Sequence, residues 1–268
     1  MSLARKAWNP SSKNHYRGYY PVTPNVTCHK EGIEFAQELP PDDPDLLSDI
    51  VMYEPNVWPP ESEAGAAEFK QFMLAYYQSM SELGLEVARL LAIGIGREEH
   101  YFDELFLNKP LTVLRLMHYP PRRGPIPDSA MKDGLTLTCL EHTDTPFVTF
   151  LCTFWNAGLQ LLNENGVWID VEPRPDCLVM NAGDTLVKTT GKRFKATKHQ
   201  VVDKGEDRFS VPFFVEPGYA SDIGRYEREN SGGGEGDQTE PVLYGPWVAK
   251  TMKSKNFTDF PKESFGGQ

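Results

Sequence analysis

Two histidines and an aspartate, His142, Asp144 and His199, are of the residue types from which a three-ligand metal site is made. Two neutral imidazoles and one carboxylate on one face of a six-coordinate ion leave the other face open. That set suits Fe(II) in oxygenases, because the open positions take an organic acid and dioxygen together. His142 and Asp144 are separated only by Thr143, so on a strand they point to one side while Thr143 and Glu141 point to the other. Glu141 is therefore not counted as a ligand. His199 has to come from a second strand lying beside the first. Arg208 and Ser210 share a face by the same rule. A guanidinium grips a carboxylate with paired bonds and a hydroxyl donates one more, which would anchor the far end of a dicarboxylic acid. Tyr119 is a third candidate donor to that group. His15, His29, His100 and His118 show no comparable arrangement and are read as surface or core residues.

These side chains need rigid strands, and the chain has them from about Leu111 onward. Leu111 to Tyr119, Leu135 to Leu140, Phe147 to Phe154, Val167 to Val171, Cys177 to Asn181, Thr197 to Val202 and Phe209 to Val215 are short β-prone runs. Asn163-Glu164-Asn165-Gly166 is a hairpin signal ahead of the fourth. Such spacing predicts a mainly β fold, a sandwich or jelly roll, with helices packed on one sheet. The main helix is expected where Phe69, Phe72, Met73, Tyr76, Met80, Leu83 and Val87 form one apolar stripe. Gly94 and Gly96 end it, and a shorter helix is expected over Glu98 to Leu105. Residues 1 to about 60 are rich in proline and predict no regular element. Ser231 to Gly236 reads as a flexible loop, followed by a tail with one more helix.

Composition narrows the function classes. With 40% hydrophobic and 12% aromatic residues in 268, a sizeable core can form and disorder is not the default. A net charge of -11 argues against a general nucleic-acid or anionic-membrane binder, each of which requires a basic face. No apolar run reaches the roughly 18 residues of a membrane span, and no signal peptide is apparent. The four cysteines (Cys28, Cys139, Cys152 and Cys177) form no Cys-x-x-Cys pair, and most lie among apolar residues that predict buried free thiols. A reducing cytoplasm is the expected compartment, and it suits a metal that must remain ferrous.

Several ordered stretches carry a family resemblance. They are Leu114 to Pro121 (Leu-Arg-Leu-Met-His-Tyr-Pro-Pro), His142-Thr143-Asp144, Gly158-Leu159-Gln160-Leu161, Gly166 to Val171, Asn181-Ala182-Gly183-Asp184, Thr190-Gly191, Ala196 to Val201, and Arg208 to Phe214. Together they resemble the isopenicillin N synthase-like branch of the Fe(II)- and 2-oxoglutarate-dependent oxygenases. Tyr16 to Tyr19 and the Lys30-Glu31 segment are similar too, with less specificity. The resemblance implies a double-stranded β-helix, a jelly-roll form. It implies that His142, Asp144 and His199 bind iron. Tyr119, Arg208 and Ser210 would hold the distal carboxylate of 2-oxoglutarate, with dioxygen as the other cosubstrate. Met117 stands where many relatives carry an asparagine, and Gln200 where an arginine is common.

The expected organisation is a helical and irregular part over 1–110, an oxygenase core over 111–220 and a C-terminal loop and helix over 221–268. The resemblance leads us to expect that this chain starts after the family's usual strand-helix-strand opening, as a truncated or alternatively started form. The expected function is a dioxygenase that hydroxylates, desaturates or cyclises a small organic molecule. A 2-oxoglutarate-independent oxidase, in which Arg208 and Ser210 hold the substrate itself, and a non-catalytic module are the alternatives.

Overall fold

The computed structural model describes residues 14, 17–23, 27–48, 50, 52–230 and 240–254. His15, Tyr16 and the glycine-rich run 231–236 lie outside them. Two antiparallel sheets hold the strands. The larger contains β1 (Gly18–Tyr20), β2 (Glu31–Phe35), β3 (Val113–Tyr119), β6 (Val148–Cys152), β9 (Val179–Ala182) and β11 (Arg208–Val215), in the order β1-β2-β3-β11-β6-β9. The smaller contains β4 (Met131–Lys132), β5 (Leu135–His142), β7 (Leu159–Leu162), β8 (Trp168–Asp170) and β10 (His199–Val202), in the order β4-β5-β10-β7-β8. Chain neighbours are thus mostly dealt to opposite sheets, the jelly-roll pattern in which residues far apart in sequence meet. Each β-prone run read from the sequence forms a strand.

The proline-rich start does not lack elements, as the sequence led us to expect, for it contributes β1 and β2. Glu31-Gly32-Ile33-Glu34-Phe35 has little intrinsic β preference. It forms a strand because β3 offers a free edge, pairing Glu31 with His118 through Phe35 with Leu114. Ile33 and Phe35 then enter the main core, whereas Glu34 turns the other way.

Helix α1 (Ala66–Gly94) covers the outer face of the larger sheet. Its buried line runs through Met73, Tyr77, Met80, Gly84, Ala88 and Ala92, one step round from the expected stripe. Phe72 is 66% exposed and Leu83 37%. Small residues form this line because the helix lies close against the sheet: Tyr77 meets Phe213 edge-on at 5.3 Å and Gly84 backs onto Val215. The second helix is shorter than expected, with only Asp103–Phe106 helical (α2), and α3 (Asp184–Thr189) and α4 (Arg225–Asn230) were not anticipated. The expected tail helix is α5 (Tyr244–Ser254). The main core therefore lies between helices and the larger sheet, built on Phe102, Phe147, Leu114, Phe213 and Tyr244. Buried strand residues outside this core include both polar and apolar side chains, among them Arg208, Ser210, Thr138, Leu137, Leu159 and Val202.

His118 locks three strands from outside. Its Nδ1 is 2.7 Å from Glu31, its Nε2 2.7 Å from Asp207, and its ring stacks on Phe209 at 4.6 Å. Burial pulls its pKa down, but the two carboxylates outweigh that and raise it above its ordinary 6.5. Because the folded value is the higher one, the stabilisation is complete below pH 6.5 and fades as pH rises through the folded pKa. His118→Gln is expected to flatten the fall in unfolding free energy as pH rises above 6.5. An unchanged slope in urea titrations would remove His118 as its source.

The thiols are free, but none is fully buried. Cys28 and Cys177 are exposed, and Cys139 and Cys152 are half-buried.

Candidate metal and cosubstrate site

His142 ends β5 and His199 begins β10, and the two pair directly across the smaller sheet. Their rings lie 4.2 Å apart between centroids. Asp144 does not share the strand with His142, as the alternation argument assumed, since β5 stops at His142. Asp144 stands in the following loop, which turns its carboxylate back onto the two rings. Nε2 of His142 and Nε2 of His199 are each 3.5 Å from Asp144 Oδ1. The three donor atoms lie within 4.8 Å of one another, and they form the metal-competent cluster of the described residues.

The hydrogens around the cluster decide what it can hold. His142 Nδ1 lies 2.8 Å from Leu140 O and His199 Nδ1 lies 3.2 Å from Thr197 O. A carbonyl only accepts, so both rings donate from Nδ1 and present a bare Nε2 lone pair. Asp144 Oδ2 accepts from Thr149 Oγ1 and Asn181 Nδ2, each at 2.8 Å, which aims Oδ1 at those lone pairs. Three electron pairs facing one another need a cation between them. Adjacent donors of a six-coordinate ion with bonds of roughly 2.1 Å lie about 3 Å apart, close to the spacing seen. Burial alone would raise the Asp144 pKa, but in the absence of metal the two imidazoles, when protonated and donating to it, outweigh burial and hold the carboxyl well below its usual range.

The loop carrying Asp144 is fixed by backbone contacts. Asp184 N–H donates to Asp144 O at 2.8 Å, Thr185 N–H to Thr145 O at 3.0 Å, and Gly183 N–H to Phe147 O at 3.1 Å. A β-carbon at Gly183 would stand 1.8 Å from Pro146 O, so only glycine permits this approach.

Sequence reading missed Thr149 and Asn181, the residues that orient the carboxylate. They are a cross-strand pair of β6 and β9. Only that register shows their role, although Asn181 sits in a quoted stretch. Thr149→Val and Asn181→Leu are each expected to weaken ferrous binding by roughly 10- to 100-fold, the range for residues that orient metal ligands. Competition against a chelator measures this, and unaltered affinity would mean that the carboxylate needs no such support.

Arg208 and Ser210 lie on β11 opposite Tyr119 and Met117 of β3. All four are buried. The Arg208 guanidinium lies over the Tyr119 ring at 3.9 Å. One Nη is 3.5 Å from Thr138 Oγ1 on β5, so the side chain reaches across to the smaller sheet, the one that carries both histidines. Arg208 Nε is buried without a partner, and no described carboxylate forms an ion pair with this guanidinium. Burial lowers its pKa, opposed by Tyr119 and Asp203. A buried cation without an anion is costly, and a ligand carboxylate would supply what is lacking. The Tyr119 hydroxyl donates to Met117 Sδ at 3.4 Å. That weak acceptor is easily exchanged for a carboxylate oxygen.

Other candidates fall outside the cluster. Glu141 pairs outward with Lys132 at 2.8 Å. His118 is engaged at both ring nitrogens. Arg122 bonds Asp203 at 2.9 Å and Leu137 O at 3.3 Å, bracing the sheets. A cleft of about 710 Å³ lined by Tyr53, Tyr101, Tyr219, Lys109 and Arg225 includes none of the site residues. Its cations are matched by Asp43, Asp45 and Glu229.

Comparison with known proteins agrees with this geometry. A 2-oxoglutarate-dependent dioxygenase of Monascus ruber, citB, is 35% identical over 212 residues, covering 75% of this chain and 62% of that protein. The chain thus spans less than two thirds of that relative. Isopenicillin N synthase of Streptomyces clavuligerus is 27% identical over 253 residues, 94% of this chain and 75% of the relative. A full-length Neurospora crassa protein, solved in complex with alpha-KG and 5-formyluracil, has a TM-score of 0.70 at 27% identity, covering 95% of this chain and 77% of that one. Residues 110–217, which contain every residue of the triad and the clamp, match one family model. With fold, sequence and site geometry in agreement, the chain belongs to the 2OG-Fe(II) oxygenase superfamily.

Proposed function

We propose that this chain is a non-haem Fe(II)- and 2-oxoglutarate-dependent dioxygenase that hydroxylates, desaturates or cyclises a small organic molecule. The observation that carries the reading is a pair of incomplete sites on the two sheets of one jelly roll, with Arg208 reaching across to the sheet that carries the histidines. Three lone pairs converge without a cation at one, and a buried guanidinium lacks an anion at the other. A dicarboxylate bound to a ferrous ion completes both. His142, Asp144 and His199 would hold the metal, and Arg208, Ser210 and Tyr119 the distal carboxylate. When bound, ferrous iron supplies the activation of dioxygen, coupled to conversion of 2-oxoglutarate into succinate and carbon dioxide.

The protein's part is to fix three ligands on one face, orient the cosubstrate and exclude bulk water from the space between the sheets. We read 111–220 as the oxygenase core, with 1–110 and 221–268 flanking it. A net charge of -11 and free cysteines favour a small-molecule substrate, no nucleic-acid partner and a reducing compartment such as the cytoplasm. No described helix is long and apolar enough to cross a membrane. The test is anaerobic addition of 2-oxoglutarate to the ferrous protein, which should produce a visible charge-transfer band. Succinate should then form on admitting dioxygen. Oxygen uptake without succinate would favour the oxidase alternative, and absence of ferrous binding would sink both.

A further inference from the structure

Arg115 is a second guanidinium on the face of the larger sheet that supports the metal ligands. Leu114 and Phe213 are buried in the main core. Alternation therefore sends Arg115 and Phe214 to the opposite face, the one that carries Tyr119 and Arg208. Contacts fix the placement. Arg115 lies directly across from Glu34 of β2 and pairs with it at 2.8 Å. Its guanidinium carbon is 5.1 Å from the centroid of the Phe214 ring. Phe214 stands across from Thr149 of β6, and directly opposed residues share a face. The Thr149 hydroxyl in turn donates to Asp144 Oδ2 at 2.8 Å. One aromatic ring and one threonine thus separate this guanidinium from a metal ligand.

The position is distinct from the carboxylate clamp. Tyr119, on which Arg208 stacks, is four residues further along β3, about 13 Å away. Arg115 cannot share a carboxylate held there. β3 and β6 flank β11, so their backbones are about 10 Å apart. A small organic molecule is long enough to reach from Arg115 to the metal ligands.

The two members of the ion pair differ in access. The Glu34 side chain is 4% exposed, whereas that of Arg115 keeps 27% of its surface open. Arg115 Nε is buried with no acceptor, and a guanidinium has more donors than one carboxylate oxygen takes up. The pair carries no net charge. A carboxylate arriving at Arg115 would be repelled by Glu34, whereas a carbonyl oxygen accepts from the guanidinium without adding charge. We propose that Arg115 is a substrate-binding and specificity residue, and that Glu34 makes it select an uncharged molecule bearing a carbonyl oxygen. This rests on the dioxygenase reading above and adds to it the class of substrate.

Acetophenone, benzoate and ethylbenzene are similar in size and differ in the group they offer to Arg115. Their binding to the ferrous full chain with 2-oxoglutarate, under anaerobic conditions, is read from broadening of their proton lines by the paramagnetic ion. Acetophenone should bind roughly 10-fold more tightly than the other two, the worth of one bond to a charged donor. In Arg115→Met that advantage should vanish, while ethylbenzene, 2-oxoglutarate and ferrous affinities stay put. Glu34→Gln leaves the guanidinium uncompensated and should move the preference from acetophenone to benzoate. Should the methionine variant misfold because Glu34 is left buried alone, Arg115→Met combined with Glu34→Gln makes the same comparison. Equal binding of the three probes, no binding of acetophenone, or an acetophenone affinity unmoved by Arg115→Met overturns the proposal. So does a preference for benzoate in the unmodified protein. Absence of a charge-transfer band with 2-oxoglutarate would instead count against the dioxygenase reading itself.

Discussion

Replacing Asp144 with asparagine is expected to abolish ferrous binding while leaving the fold intact and somewhat more stable without metal. Asp144 Oδ2 accepts from Thr149 and Asn181, and Oδ1 faces two bare imidazole nitrogens at 3.5 Å. In the amide, the carbonyl oxygen takes the Oδ2 position and keeps both incoming bonds. The NH₂ group then takes the Oδ1 position and offers its two hydrogens to the two Nε2 lone pairs. The cluster becomes satisfied from within and repels a cation. Since residues that only orient a ligand already cost 10- to 100-fold in metal affinity, loss of a ligand should exceed about 100-fold. The apo protein gains about 1 kcal/mol from the new bonds. Chelator competition and thermal unfolding read the two effects. Retained ferrous affinity in Asp144→Asn would mean that the three residues are not the metal site.

Arg208→Met is expected to separate ligand binding from stability in a similar way. Removal of the guanidinium takes away charge-assisted bonds worth about 3 kcal/mol, so 2-oxoglutarate affinity should fall roughly 100-fold while ferrous affinity is nearly unchanged. In the empty protein the same substitution deletes a buried, unpaired cation and keeps most of its contact with the Tyr119 ring. The apo form should therefore unfold at a higher temperature, by about 1 to 2 kcal/mol of added stability. Equal loss of metal and cosubstrate would identify Arg208 as a structural residue instead.

The site was more legible in the sequence than the scaffold around it. Residues two apart on a strand share a face whatever the topology, so Arg208 and Ser210 could be paired from spacing alone. Asp144 converges with His142 for a different reason, a loop that turns back at the strand end, and spacing does not encode that. Long-range register is likewise invisible locally. Thr149 and Asn181 meet only because β6 lies beside β9, and β2 is a strand only because β3 has an edge to offer. The α1 stripe was misplaced because hydrophobicity was followed where close packing mattered more. Gly84, Ala88 and Ala92 face the sheet, and Phe72 does not.

The jelly roll of this chain holds a buried cation, Arg208, flat against an aromatic ring with no acidic side chain of the described residues paired to it. A guanidinium so placed keeps its desolvation cost until a dianion arrives, so binding such an acid offsets a cost that folding alone leaves standing. Occupancy at 100 times the dissociation constant adds about 2.7 kcal/mol to the folded state by mass action. Protease resistance, and with it the protein's abundance, should therefore track the supply of the small acid that the proposed site would take.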